Sequence, residues 1–107
     1  MSGYGEFKWK DGKRYLGYYL NDKKEGFGIY YWASSGRAYI GFWKKGKQDG
    51  VGKYINNETT RFGLWRFGER LKWFESEKEI LEHIPAGLSG FKKIFKFDIN
   101  DIQNFLS

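Results

Sequence analysis

The sequence predicts a mainly β protein: an elongated, curved, single-layer antiparallel meander of β-hairpins followed by short C-terminal α-helices. Three observations predict it. Tyr15-Leu16-Gly17-Tyr18-Tyr19 returns at an offset of 24 as Tyr39-Ile40-Gly41-Phe42-Trp43, and Gly26-Phe27-Gly28 returns as Gly50-Val51-Gly52 at the same offset. Between these anchors apolar and aromatic residues alternate with a period of two and are punctuated by Gly, Asn and Asp, the signature of strands joined by turns. From Ser76 onward the alternation stops and a helical spacing takes over.

The repeat sets the domain organisation, because an internal period constrains a fold more firmly than any single segment. Gly12 maps onto Gly36 at 24, Gly3-Tyr4-Gly5 onto Gly26-Phe27-Gly28 at 23, and Ile40-Gly41-Phe42-Trp43 onto Phe62-Gly63-Leu64-Trp65 at 22. Residues 1–74 therefore read as a repeat sheet with a partial first unit, two fuller units and a degenerate last one. Residues 75–107 read as an amphipathic helical tail that packs on the sheet or on a partner.

Each unit reads as a hairpin. Strands are expected near residues 4–9, 15–20, 27–32, 38–43, 51–55, 60–66 and 70–74. The turns between them fall at Lys10–Lys13, Asn21–Lys24, Ser34–Gly36, Lys45–Lys47, Asn56-Asn57 and Phe67-Gly68. Parity separates two faces: Tyr15, Gly17 and Tyr19 share one, as do Tyr39, Gly41 and Trp43, and Arg61, Gly63 and Trp65. A glycine inside a strand weakens it, so its recurrence needs a reason. The expected one is a neighbouring aromatic ring lying across the bare backbone. The opposite parity, with Leu16, Phe27, Ile29, Ile40, Phe42, Val51 and Leu64, is also apolar. A single layer that is apolar on both sides cannot leave both in water.

The tail is the candidate cover. Ser76-Glu77-Lys78-Glu79 is a capping-box pattern. Ile80, Leu81 and Ile84 follow as an apolar stripe, and Pro85 with Gly87 ends the helix. Phe91, Ile94 and Phe95 mark a second short amphipathic segment. Asp98 or Asn100 opens a third, carrying Ile102, Phe105 and Leu106. Helices this short are marginal alone, so their stripes must dock somewhere.

Composition narrows the function classes. The chain has 5 Trp, 8 Tyr and 10 Phe in 107 residues, more aromatic surface than a small core needs. It has no Cys, which removes disulfides and Cys-based zinc sites and fits a reducing compartment. No apolar run reaches membrane-span length, and the N-terminus lacks the apolar segment of a signal peptide, so a cytoplasmic protein is expected. The net charge of +6 is uneven: residues 1–74 carry 15 Lys/Arg against 7 Asp/Glu, and residues 75–107 carry 4 against 6. Such a body attracts anionic surfaces or acidic partners. The plainer reading is that scattered lysines keep an aromatic sheet soluble and guard its edges.

Catalysis finds little footing. His83 is the one histidine. It stands four residues after Glu79, and two ligands do not make a zinc site. No catalytic, metal or cofactor-binding residue is expected. The Gly-x-Gly pairs lack the Lys-Ser/Thr of a phosphate loop, and their recurrence marks them as architecture. Basic residues interleaved with aromatics would suit single-stranded nucleic acid, but rings packed on glycine are not free to stack. Lys23, Lys24, Lys44, Lys45 and Lys47 at the turns would suit peripheral contact with anionic phospholipid, at roughly 1 kcal/mol per lysine near the surface.

The repeated phrase resembles the MORN repeat (membrane occupation and recognition nexus), whose unit runs approximately Tyr-x-Gly-x-Trp/Tyr-x-x-Gly-x-x-x-Gly-x-Gly. Tyr39, Gly41, Trp43, Gly46, Gly50 and Gly52 fall on or beside its positions, and so do Tyr15, Gly17, Tyr19, Gly26 and Gly28. Asp22-Lys23-Lys24 stands in place of the first turn glycine, and Arg61 in place of the aromatic before Gly63. The resemblance implies a curved hairpin scaffold of the kind found in axonemal and other cytoskeletal proteins, and a cytoskeletal or ciliary location. It also implies binding through the sheet, to an amphipathic helix or a second copy. Large rigid aromatics make interface hot spots, which selects Tyr19, Tyr30, Trp32, Trp43, Tyr54 and Trp65 as the expected partner-binding groove.

Overall fold

Seven strands form one open antiparallel sheet whose spatial order is the chain order. They are β1 (Gly3–Lys8), β2 (Lys13–Leu20), β3 (Lys23–Trp32), β4 (Arg37–Lys44), β5 (Lys47–Asn56), β6 (Thr59–Arg66) and β7 (Glu69–Phe74). Among the described residues two short helices follow, α1 (Glu77–Glu82) and α2 (Ile99–Leu106). The computed structural model describes residues 2–56, 59–83 and 99–106. All seven expected strands are present. The stretch around Phe91–Phe95 lies outside the described residues.

The connections β2–β3 and β4–β5 are tighter than the sequence reading has them, and β6–β7 is the Phe67-Gly68 turn it expects. Each is a two-residue turn with both residues at positive φ: Asn21 (51°) and Asp22 (65°), Lys45 (52°) and Gly46 (84°), Phe67 (51°) and Gly68 (85°). This is the type I′ geometry, whose twist matches that of the strands it joins. Lys23, Lys24 and Lys47, placed in turns by the sequence, therefore already belong to strands.

A glycine column crosses the sheet at right angles to the strands. Gly5 pairs with Gly17, Gly17 with Gly28, Gly28 with Gly41, Gly41 with Gly52, and Gly52 with Gly63; on β7 the column ends at Trp73. The expected reason for these glycines holds. A Cβ on Gly28 would run into the Tyr15 ring, and one on Gly52 into the Tyr39 ring; on Gly63 it would meet Trp65 at 2.9 Å. The first glycine of the second and third Gly-x-Gly pairs has another task. The pairing slips between Gly17 and Tyr19, and again between Gly41 and Trp43. Gly26 (φ 73°) and Gly50 (φ 104°) carry the chain through those bulges.

The column divides the two faces' chemistry. One face is aliphatic and phenyl: Phe27, Ile29, Ile40, Phe42, Val51, Ile55 and Phe74 form one buried cluster, and Ile102 of α2 sits in it with no exposed surface. The Ser76 hydroxyl caps α1 by accepting the Glu79 amide at 3.3 Å, as the capping box predicts. His83 beyond α1 lies with its ring 4.9 Å from Phe74. The tail thus covers part of this face from within the same chain. The opposite face covers itself with aromatic rings.

Candidate functional site

The self-covered face is built on Tyr15 and Tyr39, both wholly buried. Their hydroxyls donate to the carbonyls of Tyr18 (3.1 Å) and Phe42 (3.2 Å), the residues that the bulges leave without a partner on the next strand. A buried carbonyl without a donor is costly, so each ring both fills the glycine gap and satisfies the bulge. Burial, the dominant cause, pushes both phenols far above the usual tyrosine pKa. They are structural groups with no proton to give near neutrality.

From these two rings an edge-to-face chain runs across the sheet. Tyr19 meets Tyr15 at 5.1 Å, Tyr15 meets Trp43 at 5.7 Å, and Trp43 meets Tyr39 at 5.2 Å. Tyr39 meets Trp65 at 5.1 Å and Trp65 meets Trp73 at 5.7 Å, with interplanar angles of 78–89° throughout. Such contacts add about 0.5–1.5 kcal/mol each beyond burial. Tyr30, Trp32, Tyr54 and Trp9 lie half-buried against this chain.

All six residues of the expected groove therefore belong to one aromatic cluster, in two roles. Trp43 and Trp65 are floor, 8% and 7% exposed, and the Trp43 indole N–H donates to the Gly28 carbonyl at 3.4 Å. Tyr19, Tyr30, Trp32 and Tyr54 form a half-buried upper layer. Sequence reasoning missed Trp9 and Trp73, although parity with Phe7 and Gly63 places them on this side. It also missed the cations. Lys24 Nζ stands 5.3–5.6 Å from the ring centroids of Trp9, Tyr15, Tyr30 and Trp43, a cage of four rings. Burial there holds its ammonium below the usual lysine pKa. Arg37 lies over Trp32, and Arg61 and Arg70 lie over Trp73.

The expected anionic-surface set is split by the same geometry. Lys24 is absorbed into the aromatic face. Lys23, Lys44 and Lys47 flank the two-residue turns at one end of the sheet and Lys45 lies within one, beside exposed Leu20 (52%) and, on the next turn, Phe67 (63%). These turns are tied to one another. Ser2 Oγ, Glu25 Oε1 and Asp49 Oδ2 accept the amides of Asn21, Lys45 and Phe67 at 3.1, 3.1 and 3.0 Å. The three acceptors immediately precede the three Gly-x-Gly pairs, a regularity visible in the sequence once its purpose is known.

On the tail-covered side a cavity of about 360 Å³ lies between His83 and the apolar surface of Phe42, Val51 and Leu64, with Glu25 and Asp49 also in its lining. Both carboxylates already hold turn amides. Among the described residues no group of three or more His, Cys, Asp or Glu comes together, and no helix is long and apolar enough to cross a membrane.

Comparison with known proteins agrees with this geometry. A family model described as MORN repeat matches residues 1–14, 15–37 and 39–57, together just over half of the chain. The second and third segments open on Tyr15 and Tyr39. No curated protein matches the chain.

Proposed function

Given that this chain belongs to the MORN-repeat family, a non-catalytic repeat type generally engaged in contacts with proteins or membrane lipids, we propose that it is a scaffold that holds a protein partner against its aromatic face. The observation that carries the reading is the division of that face into a buried floor and a half-exposed layer of Tyr19, Tyr30, Trp32 and Tyr54. Rings fixed by edge-to-face packing lose little freedom when a partner covers them, which is what an interface anchor requires. The assembly we propose is cytoskeletal, of the ciliary or axonemal kind in which similar modules occur.

The test is a photo-crosslinking residue placed at Trp32 or Tyr54, and separately at Tyr4 or Tyr18 on the opposite face, in the native source. Crosslinks to a discrete protein from the first pair alone are expected. Crosslinks from the second pair alone would refute the assignment of the face.

A second reading has its own observation. Exposed Leu20 and Phe67 stand at the turn end with Lys23, Lys44, Lys45 and Lys47. Apolar tips ringed by lysine suit peripheral contact with an anionic bilayer.

A further inference from the structure

Three guanidiniums rest against tryptophan rings on the aromatic face. Arg37 is 5.7 Å from the Trp32 centroid, and Arg61 and Arg70 are 4.1 and 4.4 Å from that of Trp73. The register explains the double contact at Trp73. It pairs with Gly63; Arg61 lies two residues before that glycine, and Arg70 pairs with Trp65, two residues after it. A guanidinium laid on a ring is pre-organised and keeps its N–H edges for a planar, two-point acceptor. Among the described residues none of the three has a carboxylate within ion-pair distance. Arg37 donates to Ser35 Oγ at 3.0 Å and to the Tyr54 hydroxyl at 3.2 Å. Asp11 is engaged by Lys13 at 3.1 Å, and Lys24 adds a fourth cation to the aromatic side.

We propose that the partner segment seated on this face is acidic, its carboxylates held by Arg37, Arg61 and Arg70 while its apolar side chains cover Tyr30, Trp32 and Tyr54. This rests on the reading of the face as a protein-binding surface and adds the chemistry of the occupant. Cations held on rings, with no carboxylate partner among the described residues, favour an oppositely charged ligand on encounter and reject a basic one. A carboxylate matches the guanidinium fork with two parallel hydrogen bonds. Nucleic acid is the poorer match, because its bases need open ring faces. The floor rings here are spent on edge-to-face contacts, and Trp73 is overlaid by arginine.

A random-sequence peptide display library, selected on the full chain, tests this. Selected peptides should be enriched in Asp and Glu over the input library. They should shift the indole N–H resonances of Trp32 and Trp73, and bind a variant carrying Arg37→Gln, Arg61→Gln and Arg70→Gln about tenfold or more weakly. Arg61→Lys with Arg70→Lys keeps the charge and removes the fork, so it should fall between the two. Peptides that seat on these tryptophans without acidic enrichment, or that bind the triple variant undiminished, overturn the acidic occupant and leave the groove reading standing. Peptides that perturb only Tyr4 and Tyr18 overturn both. An oligothymidylate that shifts the same indoles more strongly than any selected peptide overturns the proposal in favour of nucleic acid.

Discussion

Two buried phenols make this sheet sensitive to alkali, and the size of the effect follows from their surroundings. Tyr15 and Tyr39 are 0% exposed and donate to bulge carbonyls. Burial raises both above the ordinary value of 10.0, with Tyr19 and Glu25 adding to the rise at Tyr15, and Asp49 and Tyr15 adding at Tyr39. The folded chain therefore keeps both protons at a pH where the unfolded chain has lost them. Stability is full below about pH 10 and falls as pH climbs beyond it, by about 1.4 kcal/mol per unit for each tyrosine. By about pH 11 the pair removes roughly 3 kcal/mol, a large part of the 5–15 kcal/mol typical of a domain. Urea midpoints followed by tryptophan fluorescence between about pH 8 and 11 measure this. Tyr39→Phe should cost about 1–2 kcal/mol near neutrality, through the hydrogen bond lost to Phe42, and should then decline less steeply than wild type. Tyr4, Tyr19 and Tyr30 titrate in both chains, so the difference isolates one hydroxyl. Parallel curves would refute the argument.

Two further substitutions probe the architecture. Gly52→Ala puts a methyl against the Tyr39 ring, which is buried and cannot swing aside. Overpacking of about 1–3 kcal/mol should outweigh the 0.5–1 kcal/mol or so that Ala gains over Gly in a strand. The urea midpoint should fall at unchanged slope, and a more stable variant would show that the ring does not dictate the glycine. Phe67 holds φ 51° at the first turn position, where Asn is preferred. Phe67→Asn should raise thermal stability by about 0.5–1 kcal/mol. If the turn end also meets membranes, the same variant should lose salt-sensitive flotation with anionic vesicles, and undiminished flotation would remove Phe67 from that contact.

Much of this molecule was legible because its period repeats the same local physics. Seven strands, their neighbour pairing and the ring-over-glycine packing all follow from parity and the offset of 24. The capping box at Ser76 was equally readable, since its geometry lies within four residues. What escaped depends on φ. With Asn21 and Asp22 read as half of a longer turn, Lys24 belongs with the surface lysines. Once those two residues close the turn alone, Lys24 becomes a strand residue paired with Tyr19 and falls under four rings. Trp43 and Trp65 were recognisable as aromatic-face residues. Their place in the floor depends on the Tyr15 and Tyr39 rings packed against them, and alternation along a strand does not report such contacts.

The glycine column gives the sheet a direction. At β1 it is open: Gly5 offers a neighbouring strand the same bare backbone that Gly17 and Gly28 offer each other. At β7 it is stopped, because Trp73 stands where the next glycine would be. A duplicated hairpin inserted on the β1 side would continue the pattern in phase. One added past β7 would meet an indole flanked by two arginines and find no trough to continue. The molecule is built like a ratchet, free to lengthen from one edge and finished at the other.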